Sequence, residues 1–113
     1  MSRRTTTTFQ TTKDILEYLQ APDNHVILYK TKLKNMNFGQ ALEFLKSNKK
    51  VARSGWNGVG LWLELQIPDS NSKMTLPYIY INYPLDAKTT PGCKVPWLAS
   101  QTDMLAEDWN QVL

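Results

Sequence analysis

The chain has 113 residues, 42% of them hydrophobic and 11% aromatic, with four tryptophans, which suits one domain with a modest core. Its net charge of +3 lies entirely in residues 1–35, where six basic side chains face three acidic ones, while residues 36–113 carry seven of each; no basic stripe for duplex DNA or RNA follows Met36. The single cysteine, Cys93, rules out an intrachain disulfide, and no apolar run approaches a membrane span or the core of a signal peptide, so an intracellular, cytoplasmic protein is expected.

Residues 1–12 are basic and threonine-rich and read as disordered or as an added strand. "TTKDILEYLQ" reads as a helix with a Thr11–Asp14 start, and "HVILYKTKL" as a strand after the "APDN" break. These segments form an N-terminal extension, residues 1–35. The texture changes at Met36, and residues 36–113 read as the domain. "NFGQALEFLKSNKK" is the clearest helix: Asn37 suits the N-cap, Gln40 sits three positions on, and Phe38, Ala41, Leu42 and Leu45 recur at helical spacing. Strands follow in "KVARS", in "LWLELQI" (Leu61, Leu63, Leu65 and Ile67 on one face, Trp62, Glu64 and Gln66 on the other), in "YIYINY" and in "CKVPW", where Pro96 suggests an edge. "SQTDMLAED" reads as a short helix capped by Ser100 with Asp103 at its third position, and "WNQVL" as a last strand. The fold class is α+β: a small antiparallel β-sheet with one main helix packed on it and a short C-terminal helix.

Two stretches carry candidate chemistry. "GWNGVG" has glycines at 55, 58 and 60. It has no Gly-Lys-Ser/Thr ending and opens a strand, so it is not a nucleoside-triphosphatase phosphate loop, nor is it GxGxxG. Asn57-Gly58 predicts a β-turn in a hairpin, which leaves Trp56 as a flat face for a base and the loop N–H groups as partners for phosphate. In "VPWLASQTDMLAEDW" the structural reading packs Trp97, Leu98, Met104 and Leu105 inward, and leaves Ser100, Gln101, Thr102 and Asp103 as a polar cluster at a helix start. That end suits an anion, whereas Asp103 suits ribose hydroxyls or an adenine amine. Catalytic groups are sparse. His25 is the only histidine, Cys93 has no activating base nearby, and Glu107 and Asp108 would diverge. A binding module is therefore expected and not an enzyme, with no catalytic residues, metal or cofactor.

"MNFGQALEFLKSNKKVARSGWNG" and "VPWLASQTDMLAEDW" together resemble the second Thoeris anti-defence family, a small phage and prophage domain, over about Met36 to Leu113. The resemblance implies a sponge that binds and sequesters cyclic nucleotide immune signals without cleaving them: the glyco-cyclic ADP-ribose of Thoeris, made from NAD by a TIR-domain protein, and in some relatives CBASS cyclic oligonucleotides in separate pockets. It implies homotetramers built from dimers, with pockets between protomers, acting in the infected host's cytoplasm. The residues expected to bind, by position in the matched motifs, are Trp56, Asn57, Gly58, Trp97, Gln101, Thr102 and Asp103, with Arg53 to neutralise a pyrophosphate. Two other readings stand beside it: an inhibitor of a bacterial defence protein, docking through aromatic faces or the basic extension, and a single-stranded nucleic-acid module, against which the neutral core speaks.

Overall fold

The computed structural model describes residues 33–113. The helix expected in "TTKDILEYLQ" and all but the last residue of "HVILYKTKL" lie outside the described residues. Helix α1, Phe38–Lys46, starts where the sequence places it. The Asn37 side chain accepts from the Gln40 N–H at 2.8 Å, and the Gln40 side chain accepts from the Asn37 N–H at 2.9 Å, so two otherwise unpaired amide donors are satisfied reciprocally. The helix turns Ala41, Phe44 and Leu45 into the core, with Phe38 and Leu42 at its rim.

Five strands follow: β1 Lys50–Arg53, β2 Trp62–Gln66, β3 Tyr78–Asn82, β4 Lys94–Pro96 and, after helix α2 (Gln101–Leu105), β5 Trp109–Val112. Every neighbouring pair is antiparallel, in the order β4-β3-β2-β1-β5. One row of partners, Gln111–Val51–Leu63–Ile81–Val95, crosses all five strands on a single face. Val51, Leu63 and Ile81 from this row join Phe44, Leu45 and Trp109 in the core, so α1 covers this face. The α+β class, the alternation of β2 and β3, and the edge position of the Pro96 strand are as expected. The sheet extends beyond β5, where Met36 exchanges both backbone bonds with Trp109 and the Leu33 carbonyl accepts from Gln111. Leu33 is 1% exposed and so belongs to the core too.

Three expectations need correction. Asn57-Gly58 is not a tight two-residue turn. Residues 54–61 join β1 to β2, and the left-handed backbone in that connection falls on Gly60 (φ 82°), not on Asn57 or Gly58. Ile67 leaves the buried face because β2 ends at Gln66. Leu98, Met104 and Leu105 do not pack inward. They are 90%, 40% and 78% exposed: Leu98 lies before α2, and in that five-residue helix the buried position is taken by Asp103.

Replacing Asn37 by Ala removes the cap of the helix that covers the sheet. It should cost about 1 kcal/mol in urea unfolding with an unchanged slope; no loss would show that the capping box contributes nothing to the fold.

Candidate functional site

On the helical side of the sheet, where β1 ends and β5 begins, Arg53 and Trp109 are Cα partners. Trp109 is fully buried and forms the base of an aromatic group. Trp56 and Trp97 meet it nearly edge-on, with ring centroids 5.5 and 6.0 Å away, and Phe38 lies at 5.5 Å. Trp56 and Trp97 stand 6.4 Å apart and are both half-buried. The sequence separates these two indoles by forty residues; the β1–β2 connection brings one and the segment after β4 the other.

A charged network fixes this corner. Arg53 donates from Nη1 to Asp103 Oδ1 and from Nε to Asp108 Oδ1, both at 2.8 Å. Asp103 Oδ1 also accepts from Trp56 Nε1 at 3.0 Å, and Asp103 Oδ2 from the Ser100 N–H at 3.1 Å. Ser100 returns a capping bond to the Asp103 N–H, and the Asp103 carbonyl accepts from Trp109 Nε1. Asp108 Oδ2 accepts from the Gly55 N–H at 2.7 Å.

The electrostatics follow. Burial pushes the Asp103 carboxyl up, but hydrogen bonds from Trp56, Arg53 and Ser100 outweigh it and hold the group at about 2. The Arg53 hydrogen bond draws Asp108 below the usual carboxylate range against its burial, with help from the Gly55 N–H. Donation to Asp108 and Asp103 raises Arg53 in turn. One guanidinium is shared by two carboxylates, so the cluster carries net negative charge.

The fold thus brings Arg53, Trp56, Trp97 and Asp103 together, and it alters what two of them can offer. Arg53 is committed to two aspartates and is no free cation for a pyrophosphate. Asp103 has both oxygens engaged. Gln101 and Thr102 project from the exposed first turn of α2. Asn57 and Gly58 face elsewhere, lining a hollow of about 400 Å³ with Leu61, Tyr83, Lys88 and Thr89. Trp97 closes a more apolar hollow of about 430 Å³ walled by Met74, Leu76, Pro77 and Tyr78. The described residues contain no group of three or more His, Cys, Asp or Glu placed to hold a metal ion.

Two features escaped the sequence. In the sequence Asp108 reads as half of a divergent pair; it does diverge from exposed Glu107, but it turns inward onto Arg53. The second is the sheet face opposite the helices. There Glu64 Oε2 accepts from Trp62 Nε1 and Asn82 Nδ2, and Lys94 Nζ donates to Asn82 Oδ1. Lys50 lies over Trp62 and Lys94 over Tyr80. Burial and then Glu64 push the Tyr80 hydroxyl up. The alternation of β2 and β3 puts these side chains on one face, but alternation alone does not distinguish a polar network from a solvated surface.

Asp103 predicts an acid limb in the stability curve. Its folded pKa lies below its ordinary value of 3.8, so its contribution is present above about pH 4 and is lost as pH falls through about 2. The gap is worth about 2 kcal/mol. Chemical denaturation between pH 5 and 2 should show this loss in the native protein and a shallower one in Asp103→Asn; identical limbs would contradict the assignment.

A family model described as the Thoeris anti-defense 2-like domain matches residues 36–112. The chain is also 43% identical over 84 residues to Thoeris anti-defense 2 of Bacillus phage SP01, an alignment covering 68% of this chain and 94% of the phage protein. The paired indoles and the Arg53–Asp103 bond lie within the matched segment, and the chain belongs to the Thoeris anti-defense 2-like family.

Proposed function

We propose that this protein acts against bacterial defence by binding a cyclic nucleotide immune signal and holding it intact, with a glyco-cyclic ADP-ribose as the first ligand and CBASS cyclic oligonucleotides as further ones. The observation that carries the reading is the held pair of half-exposed indoles, Trp56 and Trp97. A rigid aromatic wall offers a stacking face at small entropic cost. Family membership supports an anti-defence role. Sequestration, as opposed to cleavage, is supported by the state of the acids: Asp103 and Asp108 are both ion-paired to Arg53, so neither is poised as a general base.

In this reading Trp56 and Trp97 stack the base. Gln101 and Thr102, exposed on the first turn of α2, donate to the ligand's polar edge. Arg53 and Asp103 serve as the frame. A tetramer built from dimers would enclose the ligand more fully than one small domain. Exposed Leu98 and Leu105 near the site support such an assembly. The site of action in this reading is the cytoplasm of an infected host; no helix among the described residues is long and apolar enough to cross a membrane.

The test is to incubate the protein with glyco-cyclic ADP-ribose, remove the complex, and denature it by heat. Loss of free ligand followed by recovery of intact ligand is expected; recovery of a cleaved product would make the protein an enzyme. Trp56→Ala should weaken binding about 10- to 100-fold, the range of one lost base stack, with the fold preserved in circular dichroism. The double change Leu98→Asp with Leu105→Asp should lower the mass seen in light scattering; an unchanged mass would place any assembly on another surface.

A further inference from the structure

Trp56 lies in the long connection between β1 and β2, and such a segment does not fix an indole by its own backbone. Its neighbours are tied to Asp108 and its ring to Asp103, and Arg53 joins the two acids. The Asp108 carbonyl accepts from the Ser54 N–H and from Ser54 Oγ, each at 3.2 Å. Asp108 Oδ2 accepts from the Gly55 N–H at 2.7 Å. Asp108 Oδ1 orients Arg53, which holds Asp103 Oδ1, and that same oxygen accepts the Trp56 indole N–H. The path closes on itself: Asp108 to Arg53 to Asp103 to Trp56 and, through Gly55, back to Asp108. A second observation points the same way. A Cβ at Gly55 would stand 2.6 Å from Asp108 Oδ2 and 2.9 Å from Arg53 Nη2, so the loop approaches the acid this closely only because residue 55 is glycine.

We propose that Asp108 is a positioning residue that sets the orientation of Trp56 toward the ligand without touching the ligand itself. The proposal rests on the indole wall being the ligand site. Two carboxylate oxygens are needed, one for the guanidinium and one for the Gly55 amide. An asparagine keeps one acceptor and places an NH₂ against a donor, so it breaks the ring at a single point. Arg53 holds the other half through its planar fork, which lysine cannot reproduce. Residues acting as one unit are non-additive, so losing either half should cost as much as losing both.

The experiment uses the full chain, glyco-cyclic ADP-ribose as the probe, and two readouts: affinity by calorimetry and the Trp56 indole N–H resonance, assigned by its loss in Trp56→Phe. In Asp108→Asn the resonance should move, affinity should fall about 10-fold or more, and Arg53→Lys combined with Asp108→Asn should bind no worse than either alone. Gly55→Ala, which leaves the acid in place, should move the same resonance and serves if Asp108→Asn does not fold. An unmoved indole resonance in both Asp108→Asn and Gly55→Ala overturns the positioning role whether or not ligand binds. A moved resonance with affinity within twofold of the native protein also overturns it, because the orientation then does not matter to the ligand. Absence of binding by the native protein sinks instead the ligand reading on which the proposal rests.

Discussion

The guanidinium of Arg53, held between Asp103 and Asp108, is the interaction on which this corner of the molecule depends. Its side chain and that of Asp103 are each 11% exposed, so both charges lie largely out of water and are tolerable only because each is paired and hydrogen-bonded. The pairing links three parts of the chain that no hydrophobic contact alone would align: the end of β1, the first turn of α2, and the residue before β5. Removing Arg53 would leave two carboxylates without their counterpart, which is far more costly than the pairing is stabilising.

The network also decides the character of the site. A bare arginine beside two tryptophans would suit a phosphate. With two aspartates on it, the same arginine becomes part of a frame, and what faces outward is aromatic surface with the neutral side chains of Gln101 and Thr102. Such a surface favours stacking and hydrogen bonding over charge neutralisation, which matches the balanced charge of residues 36–113. The opposite sheet face is organised differently. There Lys50 and Lys94 lie over the rings of Trp62 and Tyr80 and Glu64 accepts from the Trp62 indole.

Much of the fold was legible because it rests on local chemistry. Both helix starts follow from a cap and its third residue, Asn37 with Gln40 and Ser100 with Asp103. The faces of β2 and β3 follow from period-two alternation. The exposure of Met104 and Leu105 was not legible because a helix this short buries one position, which Asp103 occupies; Leu98 lies before it, in a segment without regular structure. Asn57-Gly58 was misread because hairpin statistics describe tight turns, whereas this connection spans residues 54–61 and is tied at its start to Asp108. The proximity of Trp56 and Trp97 could be suspected from their motifs, but their junction over Trp109 depends on the β1–β5 pairing, which a sequence does not display. Asp108 was missed for the same reason: its partner lies fifty-five residues away.

In the proposed function a cyclic nucleotide stacks on the wall formed by Trp56 and Trp97. Nuclear Overhauser contacts from the adenine protons of bound glyco-cyclic ADP-ribose to assigned indole protons test it most directly. Contacts to Trp56 or Trp97 are expected. Contacts to Trp62 on the far side of the sheet, with none to Trp56 or Trp97, would contradict it.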